Sequence, residues 1–597
     1  MSAFLIANMA PIIFASLVIF LLMGYPVAFS LAANGIVFGL LGIQLGMLSP
    51  ELFRALPERV YGVMGNETLL AIPFFTFMGL ILERSGMAED LLDTIGQLFG
   101  PIRGGLAYAV VLVGAMLAAT TGVVAASVIS MGLISLPIML RYGYDRRLAS
   151  GVIAASGTLA QIIPPSLVLI IMADQLGKSV GDMYKGAFIP GFTLAGLYLS
   201  YILGVTLFKP KWAPALPPEA RVFREPSGKS GAVSLLILTA ISAAAAVYYA
   251  MTYTAELPLD ESIVNAMSIG IGIAFAAAVV NRVTKMNLLS RMAEKVTFVL
   301  IPPLALIFLV LGTIFLGIAT PTEGGAMGAG GALIMALAKK RLSWKLLRQA
   351  MDSTAKLTTF VVFILVGARV FSLTFYAVDG HLWVEHLLQG LPGGQVGFLI
   401  VVNVLVFVLA FFLDFFELSF IVVPLLGPVA DKLGIDPIWF GVLLAVNMQT
   451  SFMHPPFGFA LFYLRSVAPF SPYKDVQTGK LTEPVTTGQI YWGSVPFVLI
   501  QIIMVALLIA FPQLVTSGLD KQVTGDTSNV QIMSTEEEAD QEKQSLSKDE
   551  DKPADGTAPA AGDDDPARAL DKAMKQGKGA AAEDDDPAKA LERAMKK

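Results

Sequence analysis

Residues 148–175 read LASGVIAASGTLAQIIPPSLVLIIMADQ, an apolar block that is long enough to cross a bilayer but is interrupted at Gly157 and at Pro164-Pro165. Proline inside a helix removes a backbone hydrogen bond, so this block predicts a helix that breaks at membrane depth. The alternative is that the two prolines only kink a packed helix. The same pattern of residues occurs again 291 residues later. There Pro137, Gly143, Asp145, Pro164 and Pro165 recur as Pro428, Gly434, Asp436, Pro455 and Pro456. Because the breaks come as a duplicated pair, we interpret them as features of the fold.

The composition of the chain places these blocks in a membrane. Of the 597 residues, 55% are apolar and only 15% are charged. Residues 513–597 alone hold 20 acidic and 12 basic side chains, so the preceding residues form long uncharged blocks. This pattern excludes a soluble enzyme, a nucleic-acid binder, and a collagen-like or wholly disordered chain. It predicts an all-α polytopic membrane protein.

The scarcity of cysteine and histidine narrows the chemistry further. The chain has no cysteine and three histidines, which excludes disulfides, thiolate catalysis and a multi-histidine metal centre. The start of the chain has no basic segment before its first apolar stretch, so we expect a retained span and not a signal peptide.

The apolar blocks predict two repeats, an insert and a tail. The first repeat covers residues 1–208 with a re-entrant helical hairpin at about 104–140, and the second covers 296–512 with a hairpin at about 396–430. Residues 209–295 hold a two-helix insert and cytoplasmic loops. Residues 513–597 are predicted to be a disordered acidic tail in which the segment DDDPA-x-AL occurs twice.

Loop charges predict the sidedness of the helices. The basic loops 209–229 and 282–295 are predicted to be cytoplasmic, and the acidic loop between the insert helices external. If the hairpins do not cross, the first repeat crosses five times and the insert twice, which inverts the second repeat. The total is then twelve crossings with both ends outside. Inverted repeats with broken helices are typical of secondary transporters.

Breaks inside a membrane have a chemical use. Half-helix N-termini present free N–H groups that attract carboxylates, and C-termini present free carbonyls that bind cations. Four breaks are predicted, at hairpin tips near Thr121 and Asp414 and in the interrupted spans 156–166 and 447–458. Their convergence would form an anion site flanked by sodium sites.

Several motifs together make the chain recognisable. It resembles the large membrane subunit, of the DctM type, of TRAP (tripartite ATP-independent periplasmic) transporters, through essentially all of residues 1–512. The insert and the tail lie outside the common core of that family. The motifs that carry the resemblance are Leu70-Ala71-Ile72-Pro73-Phe74-Phe75, Gly143-Tyr144-Asp145, Ile163-Pro164-Pro165-Ser166, Gly317-Ile318-Ala319-Thr320-Pro321-Thr322-Glu323, Gly434-Ile435-Asp436-Pro437 and Pro455-Pro456-Phe457-Gly458.

The resemblance implies an elevator-type sodium symporter of the ion transporter superfamily in a bacterial inner membrane. Its implied partners are a small four-helix membrane subunit and a periplasmic substrate-binding protein. The expected function is sodium-coupled uptake of a small organic acid delivered by that binding protein. The alternative is a stand-alone carboxylate/sodium symporter. No enzymatic activity and no ATP hydrolysis are expected, because the chain has no G-x-x-x-x-G-K-[ST] motif.

The family pattern also suggests the sodium ligands. The first hairpin tip usually reads Ser-Gly-Ser, whereas this chain has Thr121-Gly122-Val123, and valine offers no side-chain ligand. Each hydroxyl in these sites has an alternative role, a bond to its own helix carbonyl. The predicted ligands of sodium site 1 are Thr121, Gly122, Ser156, Gly157 and Pro164, and those of site 2 are Asp414, Asn447, Thr450 and Pro455.

The predicted substrate residues are Ser166, Thr320, Thr322, Glu417 and His454. Three of these predictions have structural alternatives. Thr320 and Glu323 form a capping-box sequence, Glu417 could cap the second hairpin with Asp414, and His454 could pack against Phe452. Arg369 and Arg465 are further candidate anion partners, with a topological anchor as the alternative for Arg465.

Overall fold

The computed structural model describes residues 2–121, 124–221, 231–254, 259–285, 288–475 and 478–519. These residues are almost entirely helical, which confirms the predicted all-α membrane class. Within them, eight helices are long and apolar enough to cross a membrane, or ten if each of two bent helix pairs is one span. The twelve crossings, their sidedness and the inversion of the second repeat stay predictions. The tail repeat lies outside the described residues.

The helices of the described residues are numbered in chain order. Up to the end of the first broken block they are α1 (Ser2–Ala7), α2 (Met9–Leu22), α3 (Val27–Gln44), α4 (Leu56–Met64), α5 (Ala71–Arg84), α6 (Met87–Phe99), α7 (Gly105–Thr121), α8 (Val124–Arg141), α9 (Arg146–Thr158), α10 (Leu167–Leu176) and α11 (Val180–Phe208). The insert and the following helices are α12 (Ala232–Tyr253), α13 (Leu259–Thr284), α14 (Arg291–Phe315), α15 (Pro321–Ala338), α16 (Trp344–Ala377) and α17 (Gly380–Gln389). The last are α18 (Gly394–Leu409), α19 (Phe415–Ile421), α20 (Val423–Lys432), α21 (Pro437–Met448), α22 (Phe459–Val467), α23 (Thr487–Ala510) and α24 (Gln513–Thr516).

Short elements complete the described chain. Two strands, β1 (Tyr473–Lys474) and β2 (Leu481–Thr482), pair antiparallel with Tyr473 opposite Thr482. Single turns of 3₁₀-helix occur at Pro50–Ala55, Glu67–Leu70, Leu159–Gln161, Pro210–Trp212, Pro218–Ala220 and Gln449–Phe452.

One group of helices packs through small residues. Helix α16 crosses α3 where Gly35 faces the carbonyl of Val370 and Gly367 faces the carbonyl of Ala28. Helix α15 lies along α5, and Gly325 meets Phe74 there. Small residues let helix backbones approach closely, which is how helices associate in lipid.

A second group contains the two broken segments. Helices α7 and α8 pack on α9, while α18 and α20 pack on α21. Helix α10 packs on α21, and α23 packs on α9, so the two halves of the chain interleave here. The largest fully buried side chains of this group include Tyr184, Tyr198, Phe440 and Phe497.

Helices α6 and α17 connect the two groups. On α6, Asp90 accepts hydrogen bonds from Lys339 at 3.1 Å and from Arg341 at 3.0 Å, which ties α6 to the end of α15. On α17, Glu385 pairs with Lys432 of α20 at 2.6 Å. The first connector is therefore fastened to the first group, and the second connector to a helix of the second group.

The insert forms a pair of helices at the periphery. Helices α12 and α13 pack on each other and on α14. Much of α12 is exposed, including Val233, Leu236 and Met251. Within the described residues, the insert therefore packs chiefly on α14 and not on the broken segments.

Candidate functional site

The two broken segments contain the same order of elements. In the first, α9 is followed by the 3₁₀ turn Leu159–Gln161, a cis Pro164-Pro165 bond and α10. In the second, α21 is followed by the 3₁₀ turn Gln449–Phe452, a cis Pro455-Pro456 bond and α22. Each double proline therefore separates two helices, which agrees with a break and not with a kink.

The Gly-x-Asp motifs explain how each broken segment begins. Gly143 and Gly434 have φ of 80° and 72°, the left-handed conformation that favours glycine at a helix C-terminus. Two residues later, Asp145 accepts from the backbone of Arg147 and Leu148, and Asp436 accepts from the backbone of Trp439. These caps fix the point at which α9 and α21 start.

The first segment places its predicted ion ligands against the first hairpin region. Ser156 is fully buried, and its hydroxyl donates to the Val152 carbonyl at 2.6 Å, the alternative bond expected for such a hydroxyl. Its Cβ faces Gly114 of α7, and Gly157 faces Val128 of α8. At the tip itself, Thr121 ends α7, and Gly122 and Val123 lie outside the described residues. Pro164 is buried in the break that follows.

The second segment is attached to α18 by an amide. Asn447 is buried, and its Nδ2 donates to the Asn403 carbonyl at 2.8 Å and to Asn403 Oδ1 at 3.0 Å. The Thr450 hydroxyl donates to the Asn447 carbonyl at 2.6 Å. Asn447 therefore links α21 to α18, and Pro455 follows at the break.

Asp414 and Glu417 cap α19 reciprocally. The Glu417 amide donates to Asp414 Oδ1 and the Asp414 amide donates to Glu417 Oε2, both at 2.9 Å. The capping role expected as an alternative is the one that the structure contains. Glu417 also lines a cavity of about 400 Å³ together with Tyr25, Phe29 and Phe360.

His454 packs against aromatic rings of the α18 end. Its ring stacks on Phe411 at 4.3 Å between centroids and meets the edge of Phe407 at 4.2 Å. These ring contacts are with Phe407 and Phe411, whereas the alternative suggested by the sequence is Phe452. Among the described residues, neither ring nitrogen has a hydrogen-bond partner although the side chain is buried.

The remaining predicted substrate residues lie in different parts of the structure. Ser166 is buried at the first break, where its hydroxyl donates to the Gln161 carbonyl and caps α10. Thr320 and Glu323 form the expected capping box. The Thr322 hydroxyl donates to the Glu67 carbonyl at 2.7 Å, and α15, which these residues begin, packs on α5 and α14. Asn66, the neighbour of Glu67, donates to Asp174 near the C-terminal end of α10 at 2.6 Å. Thr322 therefore lies near the far end of α10, and its hydrogen bond is not to a residue of either double-proline break.

The two candidate arginines differ in their surroundings. Arg465 donates to the carbonyls of Val485 and Ala468 and lies over the ring of Phe470, so it fastens the loop before α23. Arg369 lies in α16, where Gly367 contacts α3.

A hydrogen bond joins the two halves of the chain directly. Gln449 Nε2 donates to Thr158 Oγ1 at 3.1 Å, and these two positions are separated by the same 291 residues as the duplicated prolines. The offset that pairs Ser156 with Asn447 also pairs Thr158 with Gln449. On the 3₁₀ turns of the two breaks, four buried polar atoms have no hydrogen-bond partner within the described part of the chain: Gln161 Nε2 and Oε1, Gln449 Oε1 and Ser451 Oγ.

These groups limit the chemistry of the site. Searching the described residues finds no cluster of three or more His, Cys, Asp or Glu side chains that could hold a metal ion. The broken segments instead offer hydroxyl, amide and carbonyl groups. Hard oxygen atoms of this kind suit hard cations, and the N–H groups suit anionic oxygens.

Comparison with known families decides the class of protein. A model of the DctM component of tripartite ATP-independent periplasmic transporters matches residues 14–514. The chain belongs to the DctM family. This family membership and the candidate spans make it a multi-pass membrane protein of a transport system, and the relatives are permeases and not enzymes.

Three relatives carry different substrate names. The C4-dicarboxylate TRAP transporter large permease protein DctM of Pseudomonas aeruginosa is 29% identical, over 70% of this chain and 82% of its own length. The isethionate TRAP transporter permease protein DctMQ of Oleidesulfovibrio alaskensis is 23% identical, over 77% of this chain and 60% of its own. The sialic acid TRAP transporter permease protein SiaT of Haemophilus influenzae is 22% identical, over 83% and 66%.

Among solved structures, the YdaH transporter of Alcanivorax borkumensis aligns with a TM-score of 0.44 and 14% identity. The alignment covers 78% of this chain and 90% of that one.

Proposed function

We propose that this DctM-family chain is the large permease subunit of a TRAP transporter that takes up a small organic acid with sodium. The observation that carries the proposal is the meeting of two broken helices at the Thr158–Gln449 contact, with buried polar atoms on the 3₁₀ turns of both breaks. An unsatisfied buried polar group costs about 1–3 kcal/mol, so a bound ion or solute that satisfies several of them stabilises the protein considerably.

Sodium is the proposed coupling ion. Site 1 comprises Thr121, Gly122, Ser156, Gly157 and Pro164. The Ser156 hydroxyl supports this role because its proton is committed to Val152, which leaves its oxygen lone pairs as acceptors.

Site 2 comprises Asp414, Asn447, Thr450 and Pro455. Support comes from the attachment of Asn447 to α18, which holds the second break against the second hairpin region. Sodium binds hard oxygen donors, and hydroxyl, amide and carbonyl groups supply them here.

The proposed substrate is a small organic acid. The substrate names of the three relatives, C4-dicarboxylate, isethionate and sialic acid, are all acids or their anions. Ser166 and His454 are the predicted contacts that lie in or beside the breaks. Thr320, Thr322 and Glu417 remain predictions, and the capping role of Glu417 and its charge argue for positioning the tip more than for binding an anion.

The proposed transport cycle moves the second helix group relative to the first. The two connecting helices, α6 and α17, join these groups, and ion pairs fasten α6 to the first group and α17 to the second. An elevator of this kind exposes the broken helices alternately to the two sides of the bacterial inner membrane. The proposed partners are the small four-helix membrane subunit and a periplasmic binding protein that delivers the solute.

Reconstitution tests this function. Proteoliposomes with this chain alone should take up little labelled C4-dicarboxylate, isethionate or sialic acid. Adding the small subunit, the cognate binding protein and an inward sodium gradient should give concentrative uptake of one of them, or of the acid found bound to that binding protein, without ATP. Uptake that survives collapse of the sodium gradient would contradict sodium coupling. Equal uptake without the binding protein would favour a stand-alone symporter.

A further inference from the structure

A chain of buried hydrogen bonds runs outward from the Thr158–Gln449 contact. The Tyr198 hydroxyl of α11 interacts with the Thr158 side chain, and Gln501 Nε2 of α23 donates to the Tyr198 hydroxyl at 3.0 Å. All four side chains belong to fully buried residues. They lie on four separate elements: the 3₁₀ turn of the second break, α9, α11 and α23. We call this set the polar chain.

The direction of each bond follows from counting protons. The Thr158 hydroxyl gives its one proton to the Ala155 carbonyl at 2.8 Å, so it can only accept from its other neighbours. The Tyr198 hydroxyl accepts from Gln501, which leaves its own proton available to the Thr158 oxygen. Thr158 Oγ1 accepts from Gln449 and keeps a second lone pair that can accept from Tyr198. With its proton given to Ala155 and a lone pair given to Gln449, the Thr158 hydroxyl supports the Gln449 amide.

This count fixes the orientation of the Gln449 amide. Thr158 can only accept, so the NH₂ group of Gln449 must face it, and a flipped amide would bring two acceptors together. Oε1 of Gln449 therefore points away from the polar chain. It is buried and has no hydrogen-bond partner among the described residues.

The free oxygen of Gln449 needs an electropositive ligand. A carbonyl oxygen cannot donate a hydrogen bond to a carboxylate, and its partial negative charge would repel an anion. It is a hard donor of the kind that binds alkali cations. Gln449 lies between Met448 and Thr450, on the 3₁₀ turn that begins the second break.

We propose that Gln449 Oε1 is a sodium ligand, and that Thr158, Tyr198 and Gln501 are positioning residues that hold this oxygen toward the ion. The proposal rests on the sodium coupling proposed above and adds to it a ligand and its support. It predicts that α11 and α23, which contribute none of the ligands assigned to either sodium site, determine the affinity for sodium.

Sodium-dependent thermal stabilisation of the purified protein is the primary test, because it needs no transport. Unfolding midpoints are measured against NaCl, with KCl keeping the ionic strength constant. Thr158→Val removes the acceptor and Tyr198→Phe removes one hydroxyl at constant shape. Each should raise the half-saturating sodium concentration by about fivefold or more, the factor that corresponds to one lost hydrogen bond.

Two controls separate positioning from general damage. Thr158→Ser keeps the hydroxyl and should leave sodium binding near that of the wild type. Thr297→Val is a matched control, since Thr297 is a buried threonine of α14 whose hydroxyl donates to its own helix carbonyl at Ala293. It should lower the melting temperature without changing the sodium dependence.

The outcomes distinguish a failure of this proposal from a failure of the proposed sodium coupling. If the wild type responds to sodium but both Thr158→Val and Tyr198→Phe stay within twofold of it, the polar chain does not position a ligand. If Thr158→Ser shifts as much as Thr158→Val, the hydroxyl is irrelevant and the proposal is wrong. If Thr158→Val does not fold, Tyr198→Phe decides. A wild type that sodium stabilises no better than potassium would overturn this proposal and the sodium coupling together.

Discussion

Helix α9 of the first broken segment crosses α23 backbone against backbone, whereas α21 of the second meets α11 across side chains. A methyl group on Gly151 would collide with the carbonyl of Gly493, and one on Gly493 would collide with the carbonyl of Arg147. At the position that the 291-residue offset pairs with Gly151, the second segment has Val442, which approaches Gly186 of α11. Two segments with the same order of elements are thus held by different means, one by glycine contacts and the other by side-chain packing.

The second halves of the two segments differ in exposure. Every residue from Leu167 to Ala173 of α10 is buried, because α10 packs on α21, α11, α19 and α20. In and before α22, Phe457, Phe459 and Phe462 are exposed. The same pattern of prolines and glycines therefore determines the local backbone of both segments, but it does not determine which helices pack around them.

The glycine crossing gives the largest expected effect. Gly493→Ala should prevent α9 and α23 from packing, because backbone atoms cannot yield as side chains do. Overpacking typically costs about 1–3 kcal/mol and more where the backbone is involved. The expected result is a large loss of folded, monodisperse protein in detergent, measured by size-exclusion chromatography and thermal unfolding. Gly488→Ala in the same helix is the control, since nothing lies within 4 Å of an added methyl group there.

A glycine-to-alanine change where α11 contacts α21 should destabilise the protein less. A methyl group on Gly186 would lie 2.9 Å from Ile438 Cγ2 and 3.0 Å from Val515 Cγ1, and both are ends of side chains. Gly186→Ala should therefore lower the melting temperature less than Gly493→Ala, with Gly196→Ala as its control in α11. Equal losses at Gly186 and Gly493 would remove the distinction between the two segments.

Substitutions of the predicted sodium ligands compare the two broken segments through the sodium dependence of uptake, and their expected effect is of intermediate size. Asn447→Ala should raise the sodium concentration for half-maximal uptake more than Ser156→Ala, because Asn447 also holds α21 to α18, whereas the Ser156 hydroxyl bonds only within α9. A lost contact with a buried partner corresponds to about 1–3 kcal/mol. The half-maximal sodium concentration of each variant is measured by titrating uptake with sodium in proteoliposomes that contain this chain, the small subunit and the binding protein. An unchanged sodium dependence in both variants would place the ion elsewhere.

Ion pairs at the ends of α8 and α20 give the smallest expected effect. Arg141 and Lys432, again 291 residues apart, end these helices and pair with Asp475 at 2.9 Å and Glu385 at 2.6 Å. The first pair is buried, with side-chain exposures of 14% and 3%, whereas Lys432 is 55% exposed. Asp475→Asn should therefore lower the melting temperature more than Glu385→Gln, since exposed pairs contribute little.

The pH dependence of the melting temperature of Asp475→Asn tests whether the ion pair with Arg141 accounts for the change. Burial alone would raise the pKa of Asp475, but hydrogen bonds from the Thr478 backbone and from Arg141 lower that pKa from 3.8 to about 2. A lowered pKa means that the stabilisation is present above the ordinary value and is lost only as the pH falls through about 2. The difference in melting temperature between wild type and Asp475→Asn should thus be the same at pH 6 and pH 8. A difference that changes in that range would mean that another group titrates.

The sequence allowed the breaks, their duplication and the helix class to be predicted, because proline and glycine act on the local backbone. The capping boxes at Thr320 and Asp414 follow from local spacing for the same reason. The Thr158–Gln449 contact could not be found by residue type, since a threonine is paired with a glutamine. Proximity between Thr322 and Glu67 depends on how α15 lies along α5, which no local pattern encodes.

The capping box at Asp414 and Glu417 closes the hydrogen bonds of the α19 start within four residues. The tip carries the partners of the Asp414 and Glu417 backbone N–H groups with it. Exposure of this tip to water during a transport cycle would therefore break none of these bonds. The resistance to that movement would come from the aromatic contacts of the tip, where Phe416 meets Phe415 at 3.8 Å and Phe360 of α16 at 6.2 Å. Changing the size of Phe360 would then alter how fast the tip moves, and the tip would keep its shape.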